Sequence, residues 1–122
     1  MKKILIAEDS SVIQNLTKKI LQFQNFEVFS AKNGQEVMDN LETKNYDAIL
    51  MDINMPVMDG MECTKQIRAL QDPIKSKIPI IAITGNARNY TNEEFKEAGI
   101  DSFLQKPLNF DLLVETVKKF TT

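Results

Sequence analysis

Short apolar runs alternate with amphipathic segments along this whole chain of 122 residues. The apolar runs predict five strands, at residues 2–7, 26–31, 46–52, 78–84 and 100–105, and a segment with helical spacing follows each one. Strict alternation of this kind is typical of a parallel sheet with helices on both faces. Among the common strand orders of such sheets, five strands favour 2-1-3-4-5. We therefore predict a flavodoxin-like, doubly wound α/β fold with five helices, in one domain over residues 1–122.

Local signals predict where the helices begin and end. The polar residues 8–11 suit the start of the first helix, which runs to about residue 23. Its apolar residues recur at helical spacing: Ile13, Leu16, Ile20 and Leu21. Residues 91–94 fit a capping box that opens the fourth helix, and Gly99 suits its C-terminal end. Asn33-Gly34 is a turn signal, and Asp72-Pro73 breaks the third helix.

Composition excludes several classes of function. The net charge of −2 gives no sign of nucleic-acid binding. No apolar run approaches the ~20 residues of a membrane span, so we predict no membrane contact. Cys63 is the only cysteine, which excludes an intrachain disulfide and favours a reducing, cytoplasmic location. The chain contains no histidine, so histidine metal ligands and histidine-based triads are excluded.

Carboxylates follow two strands that the predicted order makes neighbours. Glu8 and Asp9 end the first strand, and Asp52 ends the third. Like charges ~4 Å apart repel by roughly 4 kcal/mol at an effective dielectric near 20. A divalent cation removes that repulsion, and oxygen ligands favour a hard ion, Mg²⁺ or Mn²⁺. A carboxylate beside Mg²⁺ can also attack phosphorus and form an aspartyl phosphate.

Two further strand ends supply groups that phosphoryl transfer needs. Thr84 ends the fourth strand with a hydroxyl, and Lys106 follows the fifth with an ammonium. Each residue alone also has an ordinary interpretation: a turn acid, a helix cap, a strand threonine or a solvated lysine. Their meeting at one edge of the sheet is what favours a phosphoryl-transfer site.

Four motifs resemble the receiver domain of two-component response regulators. They are Ala-Glu-Asp at residues 7–9, Met-Asp-Ile-Asn-Met-Pro-Val-Met-Asp-Gly at 51–60, Ile-Ala-Ile-Thr-Gly at 81–85, and Phe-Leu-Gln-Lys-Pro at 103–107. The resemblance covers residues 4–120. It implies that Asp52 is the phosphoacceptor, and that Asp9, Asp52 and the Asn54 carbonyl bind Mg²⁺, or Mn²⁺. Glu8, where many members have Asp, would act on the metal through water.

The resemblance also implies roles for residues of the fourth and fifth strands. Lys106 would bind the phosphoryl group, and its bond to Pro107 would be cis. Thr84 would move toward the phosphate, and Phe103 would turn inward behind it. Phosphorylation would thereby switch the loop at residues 85–90, the helix after it and the fifth strand. The residues two places after Asp52 and Thr84, Asn54 and Asn86, are neither acidic nor basic, so we predict no unusually fast hydrolysis.

The resemblance implies a signalling module and not a turnover enzyme. A histidine kinase or histidine phosphotransfer domain would phosphorylate it, and an unknown downstream protein would receive the signal. Two alternatives stay open: a receiver-like interaction module that is never phosphorylated, and a Mg²⁺-dependent phosphohydrolase. The phosphohydrolase class has a second acid two residues after its nucleophile, where this chain has Asn54. The sequence does not distinguish a stand-alone regulator from a piece of a hybrid kinase, although the 51–60 motif resembles hybrid kinases somewhat more.

Overall fold

Five parallel strands form one sheet in the computed structural model, which describes residues 1–85 and 90–122. The strands are β1 (Lys3–Ala7), β2 (Glu27–Ala31), β3 (Ala48–Asp52), β4 (Ile80–Thr84) and β5 (Ser102–Gln105). Their order is β2-β1-β3-β4-β5. The predicted fold class and strand order are therefore confirmed. The order in which successive strands are added to the sheet reverses between β1 and β3. Folds of this kind bind their ligands at the carboxyl ends of the strands on either side of that point.

Six helices lie within the described residues: α1 (Ser11–Phe23), α2 (Gly34–Thr43), α3 (Gly60–Arg68), α4 (Pro73–Ser76), α5 (Asn92–Ala98) and α6 (Phe110–Thr121). The sequence predicted five, and α4 is the additional one. Asp72 caps this single turn by accepting a hydrogen bond of 2.9 Å from the Ile74 N–H, and Pro73 is its first residue. A proline that ends one helix is well suited to begin the next, because its missing N–H has no partner to lose there.

Polar residues cap the other helices, as the sequence suggested for α1 and α5. The N-cap side chains are those of Ser10, Asn33, Asp59, Thr91 and Asn109. The capping box of Thr91 and Glu94 is confirmed, and so is Gly99 as a left-handed C-cap with φ of 105°. The turn signal at Asn33-Gly34 marks the bend between β2 and α2, where Asn33 also accepts a hydrogen bond from the N–H of Glu36 and so caps α2.

All five strands begin one or two residues later than the hydrophobic pattern predicted, and three of them share one cause. Phe26, Ile78 and Ile100 were expected to begin strands, and all three lie outside them. Each donates its backbone N–H to a carbonyl of the preceding helix: Phe26 to Leu21, Ile78 to Lys75, and Ile100 to Phe95. A buried apolar residue that closes a helix looks, in sequence, like the start of a strand.

Alternate residues of the strands face two separate hydrophobic cores. Leu5, Ile49 and Ile80 belong to the core beneath α2, α3 and α5. Ile4, Leu50 and Ile81 belong to the core beneath α1 and α6. Because both faces are covered, β3 and β4 are buried at every position, as expected for a parallel sheet.

The inward face of α1 differs from the predicted one. Leu16 is 47% exposed, and the buried residues are Gln14, Thr17 and Leu21. The true spacing therefore includes two polar residues, which an apolar pattern cannot reveal.

No helix within residues 1–85 and 90–122 combines the length and the apolar character needed to cross a bilayer.

Candidate functional site

The register of the sheet brings four polar strand ends to one edge. It places Ala7 beside Met51, Asp52 beside Ile83, and Thr84 beside Gln105. Glu8 directly follows β1 and Lys106 directly follows β5. Residues that are far apart in sequence thus meet because parallel strands end on the same side.

Three carboxylates form the acidic part of the site. One oxygen each of Glu8, Asp9 and Asp52 can be chosen so that all three lie within 4.8 Å of one another. Asp52 is 2% exposed and Glu8 is 4% exposed, whereas Asp9 faces solvent. The structure therefore brings together the acids that the sequence suggested as metal ligands.

Lys106 pairs with the two buried acids. Its Nζ lies 3.3 Å from Glu8 Oε1 and 3.3 Å from Asp52 Oδ2. Burial lowers the pKa of Lys106, but the charges on Asp52 and Glu8 outweigh burial and raise it overall. Burial, and next the contact with Asp52, raises the pKa of Glu8. Three carboxylates facing one ammonium leave excess negative charge that a cation can balance.

Backbone N–H groups orient the two buried carboxylates. The Asn54 N–H donates to Asp52 Oδ1 at 3.1 Å, and the Ser10 N–H donates to Glu8 Oε2 at 3.1 Å. The Asn54 side chain is exposed. Charge-assisted bonds of this kind fix the orientation of a carboxylate.

Thr84 places a hydroxyl at the same edge without a partner. The residue is 3% exposed, and its Oγ1 makes no hydrogen bond within residues 1–85 and 90–122. A buried hydroxyl normally finds a partner, because leaving it unpaired costs about 1–3 kcal/mol. A hydroxyl unpaired among the described residues, at the sheet edge that also carries Asp52 and Lys106, fits a site that completes its hydrogen bonds when a ligand arrives.

The donor set fits a hard divalent cation. It consists of carboxylate oxygens, with no histidine anywhere in the chain. The cysteine lies elsewhere, buried in the core beneath α3. Oxygen-only sites of this kind suit Mg²⁺ or Mn²⁺ better than Zn²⁺.

Comparison with known proteins identifies the family. Residues 4–118 match the response regulator receiver domain family. The chain belongs to this family. As a receiver domain it is a part of two-component signalling systems.

The relatives of this receiver domain include parts of large kinases and small regulators. It is 41% identical over 120 residues to hybrid signal transduction histidine kinase I of Dictyostelium discoideum, and the match covers 94% of this chain and 7% of that kinase. It is 29% identical over 119 residues to the polar-differentiation response regulator DivK of Brucella anthropi, with 98% and 95% covered. The chain thus spans a small fraction of one relative and nearly all of the other.

A solved structure resembles this receiver domain closely. It is the receiver domain of a sensor histidine kinase of Pseudomonas aeruginosa PAO1, with 32% identity and a TM-score of 0.87, and the match covers 98% of this chain and 97% of that one. That structure holds a magnesium ion coordinated in its active-site cleft.

The remaining residues suggested by the sequence lie near or outside this site. Phe103 is half-buried on β5, and its ring centroid lies 5.6 Å from that of Phe95 on α5. The peptide bond between Lys106 and Pro107 is cis, as predicted. Asn86 and most of the suggested switch loop lie outside the described residues.

Sequence reasoning missed one residue of this receiver domain that contacts the acidic loop. Gln14 is buried on α1 and donates to the backbone carbonyl of Glu8. A signal existed, because Gln14 lies seven positions before the core residue Leu21 and therefore on the same face of the helix. A search for apolar residues alone passes over it.

Proposed function

We propose that this receiver domain accepts a phosphoryl group on Asp52 from a histidine kinase or a histidine phosphotransfer domain, in a Mg²⁺-dependent reaction. The observation that carries the proposal is the position of Asp52. Its buried carboxylate has two further acids on one side and the Lys106 ammonium within 3.3 Å. This arrangement combines an acceptor, a cation site and a group that can bind phosphate.

Asp52 acts as the nucleophile in the proposed reaction. One of its oxygens forms a bond to phosphorus while the bond between phosphorus and the donor imidazole nitrogen breaks, and the electron pair returns to that nitrogen. Glu8, Asp9, Asp52 and the Asn54 carbonyl would hold Mg²⁺, which supplies positive charge against the acids and the phosphoryl oxygens. Lys106 then binds a phosphoryl oxygen in place of the Asp52 carboxylate.

Thr84 connects the new phosphoryl group to the rest of the domain. Its hydroxyl, which has no hydrogen-bond partner among residues 1–85 and 90–122, donates to a phosphoryl oxygen. Phosphorylation adds about −1.5 to −2 charges and strong acceptors at one point. We propose that the resulting shift passes to α5 and to Phe103 on β5, and so to a downstream protein.

The proposed role is that of a self-phosphorylating signalling module in the cytoplasm, without turnover of external substrates. The similarity to receiver domains of histidine kinases supports a kinase or a phosphotransfer domain as the donor.

The test is labelling by acetyl phosphate in the presence of Mg²⁺, followed by intact-mass measurement. We expect one phosphoryl group on the wild type and none on Asp52→Asn or on wild type in EDTA. Asp59→Asn is the matched control, because Asp59 lies in the same loop and asparagine also serves as an N-cap. Equal labelling of Asp52→Asn and wild type would refute the assignment of the acceptor. Turnover of small phosphate esters would instead favour the phosphohydrolase.

A further inference from the structure

Gln14 is a buried amide that the proposed phosphoryl chemistry does not use. It is 8% exposed, and it lies on the inward face of α1 together with Thr17 and Leu21. A carboxamide removed from water costs free energy unless it is hydrogen-bonded. Its partners therefore identify its role.

The Gln14 side chain joins three segments beside the acidic site. Its Nε2 lies 3.0 Å from the carbonyl oxygen of Glu8 and 3.0 Å from that of Ala31. The backbone N–H of Glu8 also donates to the Ala31 carbonyl, at 3.0 Å. The Glu8 backbone is thus held at its N–H by the end of β2 and at its carbonyl by α1.

Holding the Glu8 carbonyl restrains the residue after it. That carbonyl is part of the planar peptide group that joins Glu8 to Asp9. The orientation of this plane sets the rotation about ψ of Glu8 and φ of Asp9, and so the direction in which the Asp9 side chain leaves the backbone.

Asp9 depends on this restraint more than the other acids do. The Glu8 carboxylate is held by the Ser10 N–H and the Asp52 carboxylate by the Asn54 N–H. The Asp9 side chain is exposed, and within residues 1–85 and 90–122 no hydrogen bond or ion pair holds its carboxylate. Its place within 4.8 Å of the other two acids therefore rests on its backbone.

We propose that Gln14 is a positioning residue for the cation site. Its amide aims the Glu8–Asp9 peptide so that the Asp9 carboxylate stays near Asp52, and this sets the affinity for Mg²⁺. The inference rests on the proposed function. Without the amide, Asp9 samples more directions, and a cation must order it on binding, which weakens the complex.

The experiment compares Gln14→Met with Thr17→Val in the chain of residues 1–122. Methionine matches glutamine in length but donates no hydrogen bond. Thr17 is an apt control because it is buried on the same face, yet its hydroxyl donates to the Ile13 carbonyl within α1. Mg²⁺ affinity is measured by calorimetry or amide NMR titration, and the melting temperature is measured in EDTA.

Gln14→Met is expected to weaken Mg²⁺ binding by about tenfold, whereas Thr17→Val changes it by less than about twofold. Both variants are expected to lower the melting temperature, because each loses a buried hydrogen bond. Gln14→Arg places an N–H donor at the same distance along the side chain, so it should recover most of the affinity. Saturating Mg²⁺ should restore labelling of Gln14→Met by acetyl phosphate.

Three outcomes overturn the inference. They are an unchanged Mg²⁺ affinity in Gln14→Met, an equal loss in Thr17→Val, and no recovery in Gln14→Arg. If Gln14→Met does not fold, Gln14→Asn serves the same comparison, because its amide is too short by one methylene to reach both carbonyls. A wild type that binds no Mg²⁺ refutes the proposed function itself. A wild type that binds Mg²⁺ and is labelled, beside an unaffected Gln14→Met, refutes only the role of Gln14.

Discussion

Single residues in this receiver domain differ in how well their polar groups are satisfied. Glu8 and Asp52 accept backbone hydrogen bonds and pair with Lys106. Thr84, buried at the same edge, has an unpaired hydroxyl within the described residues. Satisfied groups fix the geometry of the site, and the unpaired hydroxyl is a donor that a ligand can use.

Thr84→Val should stabilise the unphosphorylated domain. Valine has nearly the same shape and removes a buried hydroxyl that has no partner, so we expect the free energy of unfolding to rise by about 1 kcal/mol. The measurement is urea denaturation without Mg²⁺. Thr64→Val is the control, because the Thr64 hydroxyl donates to the Gly60 carbonyl at 2.7 Å and its loss should destabilise the domain. Destabilisation by both variants to the same degree would contradict the prediction.

Cys63 should be inert while the domain is folded. Burial first, and then the charges of Asp59 and Glu62, raise the pKa of its thiol from 9.0 to about 12. We expect alkylation by iodoacetamide at pH 8 to be at least about a hundredfold slower than in urea. The folded state holds the thiol proton more tightly than the unfolded chain does. Its contribution to stability is therefore complete below pH 9 and is lost as the pH rises toward 12. Rapid alkylation of the native domain would refute this.

The meeting of the candidate residues at one edge of the sheet could be predicted from the sequence, and the contacts that support them could not. Glu8, Asp52, Thr84 and Lys106 follow apolar runs, and strand order alone brings them to one edge. The contact of Gln14 with the acidic loop was not predicted, because it depends on hydrogen bonds to two other segments and not on a local sequence pattern. The left-handed backbone conformation of Val57, with φ of 70°, was not predicted either, because β-branched residues rarely adopt it.

At the level of elements, two backbone hydrogen bonds hold the loop between β3 and α3 in place. The Gly60 N–H donates to the Ile53 carbonyl at 2.9 Å, and the Gly34 N–H donates to the Met58 carbonyl at 3.1 Å. A Cβ on Gly60 would lie 2.4 Å from the Asp52 carbonyl oxygen. The start of α3 therefore packs directly against the backbone of Asp52.

Gly60→Ala should destabilise the domain by about 2 kcal/mol or more, because backbone atoms must move to make room for the methyl group. Gly85→Ala is the matched control, since among the described residues other than its chain neighbours the nearest atom to its added Cβ is Asn54 Nδ2 at 3.9 Å. Urea denaturation measures both variants. If Gly60→Ala were as stable as Gly85→Ala, the close approach described here would be wrong.

Elements were predicted well where one local cause decides them. Helix starts follow from capping side chains, which act within four residues, and this is why the box at Thr91 was correct. Strand starts depend on which carbonyl a backbone N–H reaches. The backbone N–H groups of Ile78 and Ile100 donate to carbonyls of the preceding helix, although the side chains of both residues suit a strand equally well.

The whole molecule is a sheet between two cores, and Lys106 connects distant parts of that sheet. It follows β5 yet pairs with Glu8 after β1 and Asp52 at the end of β3, with β4 lying between β3 and β5. The strand order that makes this possible follows from the alternation of strands and helices. The exact pairing depends on side-chain packing that no sequence pattern encodes.

Lys106→Met should lower the free energy of unfolding in the absence of Mg²⁺ and raise the affinity for Mg²⁺. The variant leaves two buried carboxylates without their ammonium, which costs about 2 kcal/mol once the 29% exposure of the lysine side chain is considered. The uncompensated charge should then bind Mg²⁺ several-fold more tightly, and the metal should restore most of the stability.

Urea denaturation in EDTA and a Mg²⁺ titration measure the two effects. Lys118→Met is the control, because this exposed lysine bonds to Gln24. Weaker Mg²⁺ binding by Lys106→Met would contradict the charge balance.

The assembly of the site from β1, β3, β4 and the end of β5 has a consequence during synthesis. A nascent chain on the ribosome has Glu8, Asp9 and Asp52 long before it has Lys106, which must still emerge and settle beside them. Until then the fragment has acids without their counter-charge and an edge strand without its neighbour. An unfinished chain therefore has the acidic cluster without its lysine, and Lys106 can pair with Glu8 and Asp52 only after the end of β5 reaches them.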